Sequence, residues 1–243
     1  MALLTFQDVS YRYPCTEAVI LKHLSLDIPA HKKTIILGHN GCGKSTLLCL
    51  ANGLYRPQTG ILLWRGQPLG YGSQELRQWR QRVGLAFQNP EHQLVAGTVA
   101  EDISYGLCNL KLPKAQIVSR LSQALEDFGL EALSERPLHQ LSLGQKRRVA
   151  LAGVMALQPE LLLLDEPMAF LDGRQIRRLL GELTRIAQAG TTILMATHDL
   201  HLAQRWADWL VILHQGQVAL TGPPPEVFSK VTALPELDLY PPY

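Results

Sequence analysis

Eight residues, Gly38-His39-Asn40-Gly41-Cys42-Gly43-Lys44-Ser45, constrain this chain more than any other stretch, because they have the G-x-x-x-x-G-K-[ST] spacing of a loop that wraps nucleotide phosphates. The flanks fit that reading. Thr34-Ile35-Ile36-Leu37 is a β-branched, apolar run that predicts a buried strand entering the loop, and Ser45 to Ala51 predicts a helix leaving it, with Gly53 as the C-terminal stop. Glycines let successive backbone N–H groups turn inward as an anion-binding nest, and the following helix points its positive end at the phosphates. Phosphate is therefore expected on the backbone of Gly38, His39, Asn40, Gly41, Cys42 and Gly43. Lys44 would add a mobile positive charge near the β- and γ-phosphates, Ser45 a hydroxyl for Mg²⁺, and Thr46 a hydroxyl close to the α-phosphate.

A chain of 243 residues with 47% hydrophobic residues can bury one substantial core, and it shows no low-complexity segment or internal repeat. The formal charge of +2 is close to balanced. The basic clusters Arg77-Arg80-Arg82, Lys146-Arg147-Arg148 and Arg174-Arg177-Arg178 are separated by acidic or apolar stretches, so they are expected to be solvated helix faces, and nucleic acid is not an expected partner. No apolar run reaches the length of a membrane span, and the first residues run into a strand pattern without the layout of a signal peptide. A soluble, cytoplasmic chain is expected. Cys15, Cys42, Cys49 and Cys108 show no C-x-x-C pair or metal spacing, which predicts reduced thiols and no zinc site.

The first thirty residues and Gly60 to Leu69 carry strand-like patterns, with a turn at Pro57 to Gly60, and suggest a β-rich flank on the phosphate-binding core. Beyond them, Thr98 and Glu101 form a T-x-x-E capping box, and Lys114 to Phe128 has helical spacing at Ile117, Leu121, Leu125 and Phe128. A second core strand, Leu161 to Leu164, ends in Asp165-Glu166-Pro167, the arrangement of a Walker B motif. In that arrangement Asp165 holds Mg²⁺ through water and Glu166 faces an attacking water. A third, Thr192 to Thr197, delivers His198-Asp199 to the same edge, where open parallel sheets bind ligands. Near the end, Trp209 to Leu213 and Gln217 to Thr221 read as two strands around Gly216, followed by a short helix near Glu226 to Ser229 and a flexible end at Leu239 to Tyr243.

This ordered set resembles the ATPase subunit of ATP-binding-cassette (ABC) transporters over essentially the whole chain. The residues that carry the resemblance are the P-loop at Gly38 to Ser45, the Q-loop Gln88, the signature Leu141-Ser142-Leu143-Gly144-Gln145, Walker B at Leu161 to Glu166, the D-loop Leu171-Asp172 and the switch His198. The resemblance implies a P-loop NTPase (RecA-like) α/β fold, with a parallel-sheet core, an antiparallel β subdomain and an inserted α-helical subdomain. It divides residues 1–243 into core (1–90 and 157–225), helical subdomain (91–156) and tail (226–243). It also implies that Tyr13 stacks on adenine, that Gln88 reaches Mg²⁺ and senses the membrane partner, that Glu166 polarises water and that His198 contacts the γ-phosphate. ATP would lie between the P-loop of one subunit and Ser142, Gly144, Gln145 and Asp172 of another, in a head-to-tail dimer.

Gln88-Asn89-Pro90-Glu91-His92-Gln93-Leu94, followed by Thr98 to Ile103, is similar to the energy-coupling-factor (ECF) importers, whose ATPases have a Q-N-P-[DE]-x-Q segment. That resemblance implies uptake of cobalt or nickel ions, or of a vitamin, by two ATPase subunits, a transmembrane coupling protein and a small membrane substrate-binding protein, with this chain peripheral on the cytoplasmic face of the membrane. Two residues depart from the family pattern. Leu143 replaces the first glycine of L-S-G-G-Q, and Phe170 stands where glycine is usual before the D-loop leucine, as an expected dimer-surface residue. The nest around Cys42 is expected to favour its thiolate, so that alkylation inactivates and ATP protects. Two other readings stay open: a soluble ABC ATPase of cofactor assembly, and a nucleotide-binding regulatory module that does not hydrolyse. A DNA-repair ATPase would need a long coiled coil, and no sustained heptad run is present.

Overall fold

The apolar runs of this chain become strands buried on both faces of one sheet. In the computed structural model, which describes residues 1–14, 16–231 and Leu237, the chain order begins with β1 (Ala2–Arg12), β2 (Val19–Pro29), β3 (Lys33–Leu37), α1 (Lys44–Ala51), β4 (Thr59–Trp64), β5 (Gln67–Pro68), α2 (Ser73–Arg82) and β6 (Val83–Ala86). It continues with α3 (Val99–Asn109), α4 (Lys114–Asp127), α5 (Leu143–Ala156), β7 (Leu161–Asp165), α6 (Gly173–Gln188), β8 (Thr192–Thr197), α7 (Leu200–Trp206), β9 (Trp209–His214), β10 (Gln217–Gly222) and α8 (Pro224–Val231). Cys15 and the segment Leu239 to Tyr243 lie outside the described residues.

A six-stranded sheet has the order β10-β9-β3-β8-β7-β6. β9, β3, β8, β7 and β6 run parallel, and β10 closes one edge antiparallel to β9. Because strand side chains alternate with period two, each central strand feeds two separate cores. Ile35, Leu37, Leu162, Leu164, Ile193, Met195, Leu210 and Ile212 enter the core beneath α3 to α8. Ile36, Leu161, Leu163, Leu194, Ala196, Val211 and Leu213 enter the other, which they share with α1, Trp79 of α2 and the four-stranded antiparallel sheet β2-β1-β4-β5. Parallel strands need crossovers, so all their C-terminal ends fall on one edge. That edge carries the loop after β3, Gln88 beyond β6, Asp165 at the end of β7 and His198 after β8.

Helical expectations between residues 95 and 155 are met by α3, α4 and α5. Thr98 Oγ1 accepts from Glu101 N–H at 3.3 Å and Glu101 Oε2 accepts from Thr98 N–H at 3.0 Å, completing the capping box on α3. The reading of Lys146-Arg147-Arg148 as a solvated face is corrected. All three donate into the fold: Lys146 Nζ to Glu91 at 2.5 Å, Arg147 Nη1 to Pro167 O at 2.5 Å, and Arg148 Nη1 to Phe128 O at 2.9 Å and Gly129 O at 3.0 Å. Burial pushes both arginine pKa values down from their usual range. In the Arg174-Arg177-Arg178 cluster, Arg178 is paired across one helical turn with the buried Glu182 at 3.2 Å.

Helix α2 is polar at nearly every position and buries one side chain. Trp79 is buried, donates Nε1–H to Ala51 O at 2.8 Å and packs edge-on against Trp64 with ring centroids 5.0 Å apart. It joins the end of α1 to the antiparallel sheet. Trp79→Ala is expected to cost about 3–5 kcal/mol of stability. Trp79→Phe, which keeps most of the volume but leaves Ala51 O unpaired, should cost about 1–3 kcal/mol. Urea denaturation measures both.

Candidate nucleotide site

The loop between β3 and α1 is packed too tightly for any side chain at its first glycine. A Cβ on Gly38 would come within 2.3 Å of Leu213 O on β9 and 2.6 Å of Cys42 Sγ, and Gly43, the N-cap of α1, has φ +108°. The loop is thus pressed onto the sheet edge while its helix starts beneath it. Lys44 is only 6% exposed. Its ammonium donates to Gly38 O at 2.6 Å and His39 O at 3.2 Å, and Glu166 Oε1 lies 3.8 Å away. A buried cation needs such partners. His39 Nε2 is 3.0 Å from the carbonyl oxygen of Leu237, so the C-terminal part of the chain touches this loop.

Tyr13 lies beside the same helix, its hydroxyl 2.8 Å from Thr46 Oγ1 and its ring edge-on to Tyr11 and Tyr55. A cavity of about 700 Å³ opens there, lined by Tyr11, Tyr13, Tyr55 and Arg56 among others. An aromatic wall next to a phosphate nest is suited to a purine ring.

On the far side of the loop, the strand ends bring Asp165, Glu166, Thr197 and His198 together. Glu166 has φ +41°, a region few non-glycine residues occupy, and its N–H donates to Ala196 O at 2.9 Å. Its carboxylate accepts from Thr197 Oγ1 at 3.2 Å and from His198 Nδ1 at 3.0 Å. The carboxylate is fixed from two sides, while the His198 side chain is 70% exposed. Asp165 Oδ1 is buried and has no hydrogen-bond partner. Burial raises the Asp165 carboxyl from its ordinary value, opposed by a hydrogen bond from Ser45; Glu166 adds to the rise and Lys44 opposes it. A buried carboxylate oxygen left unpaired beside a serine hydroxyl fits a hard divalent cation, which takes oxygen ligands. Gln88 stands exposed at the adjoining strand end.

Ser142, Gly144, Gln145 and Asp172 form a second constellation at the first turns of α5 and α6. Ser142 Oγ accepts from Gln145 N–H at 3.3 Å, and Gln145 Oε1 accepts from Ser142 N–H at 2.8 Å. Asp172 Oδ1 accepts from Arg174 N–H at 2.9 Å and Gln175 N–H at 2.8 Å. Both helices therefore begin with capped, oriented N-termini, the positive ends of their dipoles. Leu143 is the first residue of α5, 39% exposed, so its side chain lies on the surface of that turn.

Sequence reasoning missed what joins the two constellations. Arg147 on α5 donates Nη1 to Pro167 O and Nη2 to Gln88 O at 3.2 Å. Gln93 Nε2 donates to Ala150 O at 2.9 Å, and its Oε1 accepts from Phe87 N–H at 3.3 Å. Glu91 pairs with Lys146, which holds its carboxyl below the usual carboxylate range. The Gln88 to Gln93 segment is thus fastened to α5 at three points. Nothing local marks Arg147, since its acceptors are main-chain carbonyls that only tertiary packing brings near.

Cys42 departs from expectation. It is 8% exposed and belongs to the core shared with α1, and burial raises its thiol pKa, a rise that Lys44 only partly offsets. The expected reactive thiolate is corrected to a packed thiol. Alkylation at neutral pH should label exposed Cys108 at least tenfold faster than Cys42, read by peptide mass spectrometry; equal rates would show that the loop opens readily.

Residues 21–169 match the family model described as ABC transporter. The chain is 54% identical over 238 residues, 98% of its length and 87% of the relative's, to a Nostoc sp. protein carrying the provisional name ABC transporter ATP-binding protein. It is 40% identical, over 98% of its length and 85% of the relative's, to the energy-coupling factor transporter ATP-binding protein EcfA of Methanocaldococcus jannaschii. Among solved structures, CbiO1 of Clostridium perfringens, part of the ABC transporter complex CbiONQ, superposes with a TM-score of 0.85 at 36% identity, covering 98% of this chain and 95% of that one. A dimeric post-hydrolysis ATP-binding cassette bound to ADP and Pi superposes with a TM-score of 0.81 at 25% identity, covering 91% and 98%. With a phosphate nest, a paired acid edge and capped signature and D-loop helices in one fold, this chain belongs to the ABC transporter family as an ATP-binding, ATP-hydrolysing subunit with ECF-type relatives.

Proposed function

We propose that this chain powers an ECF-type importer, with cobalt or nickel ion as the preferred solute class and a vitamin as the alternative. The observation that carries the proposal is the Gln88 to Gln93 segment. It begins at the nucleotide edge and is fastened to the signature helix through Arg147, Lys146 and Ala150 O, so a change at the nucleotide is transmitted to α5. The EcfA relative and the CbiO1 neighbour support the ECF assignment.

In the proposed cycle Lys44 turns from the carbonyls of Gly38 and His39 to the β- and γ-phosphates, with Thr46 near the α-phosphate and Tyr13 against the adenine. Ser45, Asp165 and Gln88 would hold Mg²⁺, which when bound would offset charge on the phosphoryl oxygens. Glu166, held by Thr197 and His198, orients water in line with the γ-phosphate. Ser142, Gly144, Gln145 and Asp172 complete the site of a second copy, head to tail. The remaining partners are a transmembrane coupling protein and a small membrane substrate-binding protein. Among the described residues no helix is long and apolar enough to cross a membrane, and the proposed location is peripheral, at the cytoplasmic face. The division into core (1–90 and 157–225), helical part (91–156) and tail (226–243) belongs to the same proposal.

Glu166→Gln should lower the rate of phosphate release at least about 100-fold while ATP binding persists, because positioned general bases contribute about 10²–10⁴ in rate. Wild-type turnover would remove Glu166 from the water-activating role. Detergent co-purification of the tagged chain should recover a multi-span coupling protein and a small membrane binder. Soluble partners alone would favour an assembly ATPase instead.

A further inference from the structure

Two large apolar side chains stand out on the rim that carries the signature and D-loop residues. Phe170 is 83% exposed and has φ +62°, so it holds a left-handed backbone that glycine adopts without cost and spends its ring on solvent. Neither property serves the fold of a single chain. Leu143 is exposed in the first turn of α5, between Ser142 and Gly144. The two belong to one surface, because that turn of α5 packs on the Pro167 to Gln175 segment. Arg147 Nη1 bonds Pro167 O, and a Cβ on Gly144 would meet the Gln175 side chain at 3.4 Å.

We propose that Leu143 and Phe170 form an apolar contact with a second copy of this chain, one that adds nucleotide-independent adhesion to the closed ATPase dimer. The inference rests on the head-to-tail dimer proposed above. A second copy is the occupant that this surface favours, because the pair flanks Ser142, Gly144 and Asp172, the residues reserved there for the other subunit's nucleotide, and is continuous with that face. The dimeric neighbour at 25% identity supports it. Each copy of an isologous pair contributes both side chains, so every closed dimer buries two Leu143 and two Phe170 side chains. Such burial is non-directional and is not screened by salt, unlike contacts between exposed charges. Closure then depends less on the two bound nucleotides alone, and reopening after hydrolysis is slower than with glycine at both positions.

The test is sedimentation velocity on the full-length chain carrying Glu166→Gln, with and without ATP, in low and high salt. In this background Phe170→Gly and Leu143→Gly should each raise the dimer dissociation constant about tenfold or more, an effect that high salt does not diminish. Phe170→Asn, which tolerates a left-handed backbone, should match Phe170→Gly, and both should keep ATP affinity and the melting temperature at or above the parent's. Unchanged dimerisation in both glycine variants, with ATP bound, overturns the apolar contact and leaves the dimer standing. A parent that stays monomeric with ATP bound overturns the dimer reading itself and the contact with it. Weakened dimerisation accompanied by loss of ATP binding or of melting temperature in both Phe170 variants assigns Phe170 to the fold and also overturns the proposal.

Discussion

The structure depends on how a buried ammonium is held at the edge of a parallel sheet. Lys44 sits in the first turn of α1, shielded from solvent, and is satisfied by two loop carbonyls with Glu166 just beyond hydrogen-bond distance. Those carbonyls lie within reach only because Gly38 lets the loop press against β9. Glu166 is near only because β7 and β8 end side by side, with its N–H bonded to Ala196 O. The same arrangement leaves Asp165 Oδ1 buried and without a protein hydrogen-bond partner. In the proposed site, phosphate would take up the Lys44 ammonium and a divalent cation the Asp165 carboxylate, groups the fold already holds in place, a form of electrostatic preorganisation.

A second constraint acts at a distance. Helix α5 is connected to the nucleotide edge through guanidinium and amide groups that reach main-chain oxygens, rather than through apolar packing alone. Arg147 holds Gln88 O and Pro167 O, Gln93 holds Ala150 O, and Arg148 holds the carbonyls of Phe128 and Gly129 just beyond α4. Hydrogen bonds from a charged group to a carbonyl are directional and, when half-buried, costly to break. They tie the Gln88 to Gln93 segment and the Pro167 turn to α5.

Much of this was legible in the sequence where chemistry is local. The loop spacing, the strand ends at Asp165 and Thr197, and the capping box of Thr98 and Glu101 all depend on residues close in sequence, and each stands where the pattern put it. Helix α2 was legible only as the basic helix face of Arg77, Arg80 and Arg82; its anchor was not, because Leu76 and Trp79 are its only apolar residues and Trp79 is held by reaching Ala51 and Trp64. Strand β6 was also hidden, being four residues long and defined by its pairing with β7. The state of Cys42 depended on a competition that motif spacing does not express, between the loop's favourable field and the burial of the thiol, and burial prevails.

The two constellations differ in what they leave unfinished, and that difference is what the proposed second copy of the chain would answer. At the P-loop edge the unfinished group is the buried Asp165 Oδ1, beside a Lys44 ammonium that holds only loop carbonyls, and in the proposed site a cation and a small anionic ligand meet both within one subunit. At the first turns of α5 and α6 the side chains are already spent on their own caps, Ser142 on Gln145 and Asp172 on Arg174 and Gln175. What remains to offer there is the direction of two helix N-termini and the apolar rim of Leu143 and Phe170. Neither encloses a ligand by itself, because an exposed helix end without walls holds an anion weakly in water. Such a field becomes strong when another surface closes over it and excludes solvent, which is what the proposed head-to-tail dimer would supply.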